Sequence, residues 1–387
     1  MIEAVGMDVG YQITGHRLSA SYSAAKLLWV RDNEPEIYRH TYKMLHAKDY
    51  IIFRMTGEFA SEYSDASSTN LFDIQKKRWS NELIKDFGIR PSILPDLYPS
   101  TYVIGTVTAT AAQATGLCEG TPVVMGGGDG SCACVGAGVV EVGSAYNILG
   151  SSSWISFASN EPYFDDEMRT FNFVHTPTGT MQAAGYSYSW YRDMLCNEER
   201  RIADKENKSV YQLIDAGVSR SKPGAGGMLY LPYLLGERSP RWNHKARGAF
   251  IGMTISTTKD DFARAILEGV GYNLKVILDI FDLREPIKNM LLIGGGAKGE
   301  GWQQVLADIW QKPLMIPEYL EEATSIGAAV CAGVGIGAYS SFSATKDFNR
   351  VVKTVYPNPE NFALYQRMYR AFNEAYYGIE NTYELLW

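Results

Sequence analysis

The sequence lacks any long apolar run and any excess of positive charge. Across 387 residues, no segment approaches the roughly 18 consecutive apolar residues that span a bilayer, so we predict no membrane partner. Lys and Arg number 36 against 43 Asp and Glu, and the net charge of -7 gives no basis for binding nucleic acid. The first residues also lack the basic and apolar regions of a secretory signal peptide. We therefore expect a cytoplasmic protein.

Cysteine and histidine are both scarce. The five cysteines, an odd number, are scattered along the chain, which is typical of reduced thiols rather than of a disulfide framework. Cys132 and Cys134 lie two residues apart, but on a helix such residues point to different faces. The five histidines show no regular ligand spacing. The sequence therefore predicts no metal site made by side chains alone.

The length and the composition describe an ordinary globular protein. Hydrophobic residues make up 46% of the chain and the mean hydropathy is -0.16, so the chain is long enough for two domains with apolar cores. No tandem repeat is present. Twice, however, a short apolar run leads into three glycines and then into a helical pattern, at Gly126–Gly128 and Gly294–Gly296. This recurrence favours two similar α/β halves.

The segment Thr121–Gly130 carries the strongest candidate for chemistry. Val123–Met125 predicts a buried strand, because Pro122 and the glycines leave little room for a helix. Asp129 follows at the carboxyl end of that strand, where α/β sheets bind ligands, so its carboxylate is placed to accept a proton from a substrate hydroxyl. The alternative is that Asp129 caps the helix that follows.

Other segments predict the elements around this one. Strands at 145–149 and 153–157 flank the turn Gly150–Ser153, whose backbone N–H groups are suited to hold a phosphate, although an ordinary hairpin turn is the alternative. The pattern of residues 37–56 predicts a continuous helix ending near Gly57, and residues 1–20 predict a helix end and a turn.

Two long patterns resemble the signatures of the FGGY family of carbohydrate kinases, most closely its xylulokinase-like members. The first is Ser21–Asn33, with Lys26 and Trp29, and the second runs from Gly248 to Glu268. Further segments are similar to family landmarks and follow the family's order: Gly126–Asp129, Leu149–Ser151, Tyr233–Pro240 and Gly294–Lys298. The resemblance therefore covers nearly the whole chain.

The resemblance implies an α/β fold of two ribonuclease H-like domains, of the actin/hexokinase type, around a cleft. Residues 1–143 would be the remainder of the sugar-binding domain, and residues 144–387 the nucleotide-binding domain. It also implies phosphorylation of a sugar hydroxyl by ATP with Mg²⁺, the sugar being D-xylulose or a related ketose or polyol. Asp129 matches the general base of that reaction. A small-molecule sugar is the expected partner, and a homodimer is left open as the assembly.

Further site residues are implied by the same resemblance. The candidates for ATP binding lie beneath the phosphates, at a helix start and on the adenosine side: Gly150 and Ser151, Gly185 and Ser189, and Gly295, Gly296 and Glu300. On the sugar side, Gly130 follows the base directly. His16 is a second candidate sugar contact, and a solvated surface histidine is its alternative. No residue is assigned to a metal ion.

Two departures from the family pattern bear on the activity. Family members begin with a strand hairpin of Asp-Gly-Thr type that contacts the phosphates and the metal, and Asp8-Val9-Gly10 does not match it at its position. We therefore expect an N-terminally incomplete first domain, in which Val123–Met125 lacks neighbouring strands. In addition, Gly130 stands where xylulokinase-like members usually carry Asn, whose amide could bind a sugar hydroxyl.

These departures leave three alternatives open. The chain is a kinase for gluconate or another sugar, because Gly130 has no amide group to offer. Alternatively, it is a truncated and catalytically impaired kinase that retains nucleotide binding. An actin-like ATPase shares the expected fold but is disfavoured by the two sugar-kinase signatures.

Overall fold

The chain forms two compact units in the computed structural model, which describes residues 1–386. Unit 1 comprises residues 1–142, 157–178 and 322–349, and unit 2 comprises residues 143–156, 179–321 and those from 350 onward. The first passage between units lies between Val142 and Gly143, beside the boundary expected from the sequence. The sequence predicts a single boundary, whereas in the structure the chain returns to unit 1 twice.

Within residues 1–386, helices and strands alternate in the manner of an α/β protein. The helices are α1 (Ile2–Val5), α2 (Met7–Thr14), α3 (Ser23–Asn33), α4 (Pro35–His40), α5 (Ala47–Thr56), α6 (Tyr63–Ala66), α7 (Asn81–Asp86), α8 (Ala109–Thr115), α9 (Asp129–Ala137), α10 (Gly185–Leu195), α11 (Asn197–Glu206), α12 (Val210–Arg220), α13 (Lys259–Asp282), α14 (Glu300–Trp310), α15 (Ala323–Gly335), α16 (Thr345–Phe348) and α17 (Phe362–Leu385). The strands are β1 (Ala60–Glu62), β2 (Phe72–Asp73), β3 (Arg78–Trp79), β4 (Asp96–Tyr98), β5 (Val103–Thr106), β6 (Pro122–Val124), β7 (Ala145–Leu149), β8 (Ser153–Phe157), β9 (Phe171–Phe173), β10 (Thr176–Met181), β11 (Leu229–Leu231), β12 (Ala249–Ile251), β13 (Met290–Ile293), β14 (Leu314–Pro317) and β15 (Val351–Val355).

The N-terminal part of the chain is more helical and more interrupted than its sequence predicts. Asp8-Val9-Gly10 lies inside α2, not in a turn. The single helix predicted over 37–56 is wrong, because α4 ends at His40 and α5 begins at Ala47. Between them, the Met44 N–H donates to the carbonyl of Ile93 at 2.7 Å, so a contact from a distant segment replaces the helical hydrogen bonds. As predicted, α5 ends at Gly57.

Strand β6, which leads to Asp129, is paired and rests on an apolar cluster. It runs antiparallel to β5, with Val103 opposite Val124, so the prediction that it lacks a neighbouring strand is wrong. Val123 and Met125 are buried in a cluster with Ile52, Ala60, Val107 and Ala111. This packing fixes the strand immediately before the glycines of the segment Gly126–Gly128.

Helix α9, which begins at Asp129, packs on α15 through direct backbone contact. A Cβ atom on Gly136 would lie 1.7 Å from the carbonyl oxygen of Ala323, and one on Gly327 would lie 1.8 Å from that of Cys132. Only glycine permits so close an approach of two helices. The segment 322–349 therefore belongs to unit 1 because α15 supports the helix that carries Asp129.

The segment 157–178 belongs to unit 1 through contacts with the N-terminal residues. The Tyr11 hydroxyl donates to the carbonyl of Thr170 at 3.0 Å, and the Arg17 guanidinium donates to that of Met168 at 2.9 Å. In this segment, β9 pairs antiparallel with the first three residues of β10, Thr176–Thr178. Neither contact follows from local sequence, since about 150 residues separate the partners.

The main sheet of unit 2 brings two glycine segments together. The strand order in this sheet is β15-β14-β13-β7-β8-β10-β9, in which β7, β13 and β14 are parallel and β15 is antiparallel to β14. Ile148 on β7 pairs with Ile293 on β13, so the residues that follow the two strands, Gly150 and Gly294–Gly296, leave the sheet side by side. In α/β sheets such strand ends are the usual place for a ligand.

The long helix α13 lies at the centre of the packing in unit 2. It begins with a capping box, in which the Thr258 hydroxyl accepts the Asp261 N–H and the Asp261 carboxylate accepts the Thr258 N–H. It packs on α12, α14 and β11, which brings α12 and α14 to the side of the glycine segments. Within residues 1–386, none of the helices combines the length and the apolar composition that a bilayer crossing requires.

Candidate active site

In unit 1, Asp129 presents an exposed carboxylate at the start of α9. Gly128, not Asp129, is the cap residue of that helix, so the alternative that Asp129 serves as an N-cap is wrong. The Asp129 carboxylate accepts the N–H of Gly130 at 2.7 Å, and the side chain is otherwise open to solvent. Gly126 has a φ of 69°, which lets the chain change direction between β6 and α9. The arrangement offers a carboxylate to an approaching hydroxyl group.

The two residues predicted to contact the sugar differ in exposure. Gly130 is partly exposed, and a Cβ added there would meet no atom within 4 Å, so packing does not demand glycine at this position. His16 is fully buried, and its Nδ1 lies 2.8 Å from the Tyr22 hydroxyl. Its ring also stacks on Phe171 and contacts Phe173 edge-on. The alternative of a solvated surface histidine is therefore wrong, and a sugar contact at His16 stays a prediction.

In unit 2, three glycine-containing segments line one cavity of about 630 Å³. That volume is within the range of about 300–1,000 Å³ typical of small-molecule sites. The Gly185 N–H donates to the carbonyl of Gly150 at 2.9 Å, and the Tyr186 N–H donates to that of Ser151 at 3.0 Å. The start of α10 is thereby joined to the turn between β7 and β8. The cavity is lined by Leu149, Gly150, Ser151, Gly185, Tyr188, Ser189, Ser209, Tyr211, Gln212, Asp215, Gly295, Gly296, Lys298, Gly299 and Trp302.

Aromatic rings form one wall of this cavity. Tyr188 stacks on Tyr211 with ring centroids 5.5 Å apart and contacts Trp302 edge-on. The Tyr188 hydroxyl donates to the Asp215 carboxylate at 2.5 Å. Burial raises the pKa of Asp215, although the hydrogen bond from Tyr188 acts in the opposite direction, and burial together with Asp215 raises the pKa of the Tyr188 hydroxyl. Flat aromatic faces beside polar groups suit a nucleobase.

Most, but not all, of the predicted nucleotide-binding residues line this cavity. Gly150, Ser151, Gly185, Gly295 and Gly296 do so, as does Ser189, whose hydroxyl lies 3.2 Å from that of Tyr211. Glu300 does not. It is the first residue of α14, its carboxylate pairs with Lys353 at 3.1 Å, and it lines a separate cavity. The assignment of Glu300 to ATP binding is thus not supported by its position.

The sequence patterns do not predict the aromatic wall. Tyr188 lies on the helix start that was singled out, but Tyr211 and Asp215 come from α12, a segment with no recognisable motif. Trp302 lies on α14, two residues after Glu300, and lines the cavity that Glu300 does not line. Only the contacts between segments distant in sequence show that these four side chains belong together.

One cluster in unit 1 has the spacing of metal ligands. Nδ1 of His46 lies 3.8 Å from Asp49 Oδ2 and 3.9 Å from Asp65 Oδ2. Lys48 is already there: its ammonium is 2.8 Å from Asp49 Oδ1 and 3.6 Å from Asp65 Oδ2. Burial lowers the pKa of Lys48, but Asp49, Glu62 and Asp65 raise it by more, so the lysine stays charged. A cation from the protein therefore occupies the place of a metal ion.

Two segments of the chain match the domains of one family of known proteins. Residues 2–136 match the N-terminal domain, and residues 145–336 the C-terminal domain, of the FGGY family of carbohydrate kinases. The chain belongs to this family. FGGY kinases use ATP as the phosphate donor, and this chain is accordingly an enzyme that phosphorylates a carbohydrate. The resemblance stated from the sequence is confirmed.

Individual relatives and a solved structure agree with this assignment. The xylulose kinase of Bacillus subtilis (strain 168) is 34% identical over 372 residues, which cover 94% of this FGGY chain and 72% of that protein. The autoinducer-2 kinase of Yersinia pestis (strain Pestoides F) is 33% identical over 371 residues, covering 92% and 69%. The crystal structure of xylulose kinase from Rhodospirillum rubrum matches with a TM-score of 0.89 and 27% identity, covering 99% and 77%. The two-domain α/β fold is thus confirmed.

Proposed function

We propose that this FGGY kinase transfers the γ-phosphoryl group of ATP to a hydroxyl group of D-xylulose or a related ketose or polyol. The observation that carries the proposal is the exposed carboxylate of Asp129 at the start of α9, directly after the glycine segment Gly126–Gly128. The similarity to xylulose kinases over more than nine-tenths of the chain supports the choice of sugar.

In the proposed reaction, Asp129 acts as the general base. Its carboxylate takes the proton of the sugar hydroxyl, and the hydroxyl oxygen forms a bond with the γ-phosphorus of ATP. The bond between that phosphorus and the bridging oxygen of the β-phosphate breaks, and ADP leaves. Catalysis of this kind depends chiefly on positioning and on stabilising charge.

We further propose that the cavity of unit 2 binds ATP. The turn at Gly150 and Ser151 and the backbone at Gly295 and Gly296 provide room for phosphates. The wall of Tyr188, Tyr211 and Trp302 provides stacking surfaces for adenine.

Mg²⁺ is the divalent ion expected with ATP, and it would supply positive charge to the phosphates. Within residues 1–386, the one cluster with ligand spacing, His46, Asp49 and Asp65, does not fit this ion because Lys48 already pairs with both carboxylates. A cytoplasmic location and a homodimeric assembly stay predictions.

A different sugar is the second candidate, and one observation favours it. Gly130, next to the base, has no side chain to bind a hydroxyl group, and there is open space where one would be. The autoinducer-2 kinase is similar to this chain at nearly the same identity as the xylulose kinase. D-xylulose is therefore to be compared with autoinducer-2, gluconate, glycerol and other polyols.

The test is sugar-dependent release of ADP. With ATP and Mg²⁺, we expect the highest turnover number with D-xylulose among the sugars of this panel. Without sugar, we expect little ATP hydrolysis. Asp129→Ala is expected to lower the turnover number by about 10²- to 10⁴-fold, the usual contribution of a general base. Wild-type turnover in Asp129→Ala would show that Asp129 is not the base. Sugar-independent hydrolysis would favour an ATPase, and no turnover with any sugar would favour an impaired kinase.

A further inference from the structure

The two ends of the glycine segment Gly126–Gly128 are attached to two serines of unit 1. The Gly126 N–H donates to the carbonyl of Ser100 at 2.9 Å, and the Gly128 N–H donates to the Ser64 hydroxyl, also at 2.9 Å. The backbone just before Asp129 is thus held from outside its own segment.

A single buried carboxylate, Glu62, connects the two serines. Its Oε1 accepts the Ser64 hydroxyl at 2.6 Å, and its Oε2 accepts the Ser100 hydroxyl at 2.9 Å. The same oxygens also accept the N–H groups of Asp65 at 2.7 Å and of Ser64 at 2.8 Å. Glu62 has no exposed surface, and four donors satisfy its two oxygens. A charge-assisted network of this kind is rigid.

Lys48 explains how a carboxylate is tolerated at this depth. It lies between Asp49 and Asp65, and Glu62 is one of the three carboxylates whose negative charge favours its protonated form. The four hydrogen-bond donors and the nearby positive charge of Lys48 make the burial of Glu62 less costly, since a buried carboxylate without partners would be strongly unfavourable. The network is therefore a stable part of the folded structure.

We propose that Glu62 is a positioning residue for phosphoryl transfer, acting through Ser64 and Ser100 on the glycine segment that carries Asp129. This inference rests on the proposed function of Asp129 as the base. Glycine backbone is permissive, so a carboxylate mounted behind three glycines needs an external constraint to stay in one place. The Ser64 hydroxyl accepts the Gly128 N–H and donates to the Glu62 carboxylate, so Ser64 is the most direct link in this constraint.

A purely structural role is the competing explanation. Glu62 is also the N-cap of α6, where it accepts the N–H groups of Ser64 and Asp65. A cap affects stability but has no reason to affect the chemical step. The serine hydroxyls separate the two roles, because they link the carboxylate to the glycine segment and are not needed for the cap.

The experiment compares Ser64→Ala with Ser80→Ala, using D-xylulose or the best sugar of the panel above. Both serines are buried in unit 1, and the Ser80 hydroxyl caps α7 by accepting the Leu83 N–H. We expect Ser64→Ala to lower kcat about 10-fold with an unchanged KM for ATP. The reason is that even a small displacement of a catalytic group from its productive position lowers the rate steeply. Ser80→Ala is expected to keep the wild-type kcat. Ser64→Thr, which retains the hydroxyl, should restore kcat to within about 2-fold.

Further variants make the outcome decisive. Ser100→Ala should lower kcat in the same sense, and it serves if Ser64→Ala does not fold. In the Asp129→Ala background, Ser64→Ala should have no additional effect on the residual turnover, because a residue that acts through the base has nothing left to act on. Wild-type kcat in both serine variants, or an equal loss in Ser80→Ala, would overturn the positioning role. If Asp129→Ala itself keeps full turnover, the proposed function fails instead, whatever the serines do.

Discussion

The glycine segments of the two units are held in different ways. In unit 1, Gly126–Gly128 is fixed from outside by the side chains of Ser64 and Glu62 and by Ser100. In unit 2, Gly185 is fixed by direct hydrogen bonding of its backbone to Gly150. The first arrangement is lost when side-chain atoms are removed. The second is lost when atoms are added, since a Cβ on Gly185 would lie 2.5 Å from the Gly150 carbonyl oxygen.

The difference fits the roles proposed for the two segments. A base must present one carboxylate in one position, and side-chain hydrogen bonds to the preceding backbone achieve that while leaving Asp129 exposed. A phosphate site must bring several backbone segments close to a ligand, and side chains there would occupy the space that the ligand needs. Each of the following variants breaks or sharpens this contrast.

The largest expected effect is on stability, where an added atom meets backbone in unit 1. In Gly327→Ala, the new Cβ would lie 1.8 Å from the Cys132 carbonyl oxygen, so α15 and α9 must separate. We expect a loss of unfolding free energy on the order of 3 kcal/mol, typical of severe overpacking. Gly378→Ala in α17 is the matched control, because its Cβ meets nothing within 4 Å. Equal stability of the two variants in urea unfolding would contradict the close helix contact.

The buried carboxylates of the two units also differ, and the next prediction uses that difference. Glu62 has two donors on each oxygen, whereas Glu268 in α13 receives the Gly224 N–H and the Tyr365 hydroxyl on Oε1 and leaves Oε2 without a partner. Burial raises the pKa of Glu268 from 4.5 to about 7, although Arg264 acts in the opposite direction. The folded state therefore binds this proton more tightly than the unfolded state.

The sign of the pH effect follows directly. The contribution of Glu268 to stability is fully present below pH 4.5 and is lost as the pH rises through about 7. Glu268→Gln does not titrate, so the difference in unfolding free energy between wild type and variant should change by on the order of 3 kcal/mol across that interval, in favour of the variant at high pH. Urea titrations at several pH values measure it. A difference independent of pH would contradict the raised pKa.

The smallest expected effect is on nucleotide affinity in unit 2. Gly185→Ala forces the turn at Gly150 and the start of α10 apart, and we expect the KM for ATP to rise about 10-fold, equivalent to roughly 1.4 kcal/mol. The KM for the sugar should stay unchanged, because the proposed base lies in the other unit. Steady-state kinetics with each substrate varied in turn measures both constants, and Gly378→Ala again serves as the control. An unchanged KM for ATP would mean that this turn does not line the nucleotide site.

The parts of the site that the sequence could predict are those written in one short segment. The strand, glycines, carboxylate and helix around Asp129 are consecutive, and so are β7, its turn at Gly150 and β8. A local pattern also predicted the end of α5 at Gly57. In each case, the residues that determine the structure are near neighbours, so backbone preferences and apolar periodicity are sufficient.

The parts that could not be predicted depend on contacts between distant segments. Tyr188 on α10 donates a hydrogen bond to Asp215 on α12. His16 is buried against Phe171 and Phe173, which lie about 150 residues later in the chain. Glu300 lines a different cavity from the other predicted nucleotide-binding residues, because neighbouring positions at the start of a helix point in different directions. Nothing local in the sequence distinguishes its direction from that of Trp302.

The most direct test of the account separates ATP binding from chemistry in a single variant. Asp129→Asn keeps the size of the side chain and removes its ability to take a proton. We expect its dissociation constant for ATP, measured by calorimetry, to stay within about 2-fold of wild type, while the turnover number with the best sugar falls by about 10²- to 10⁴-fold. Turnover close to wild type, or a loss of ATP binding as large as the loss of turnover, would contradict the division of labour in which unit 1 supplies the base and unit 2 supplies the nucleotide site.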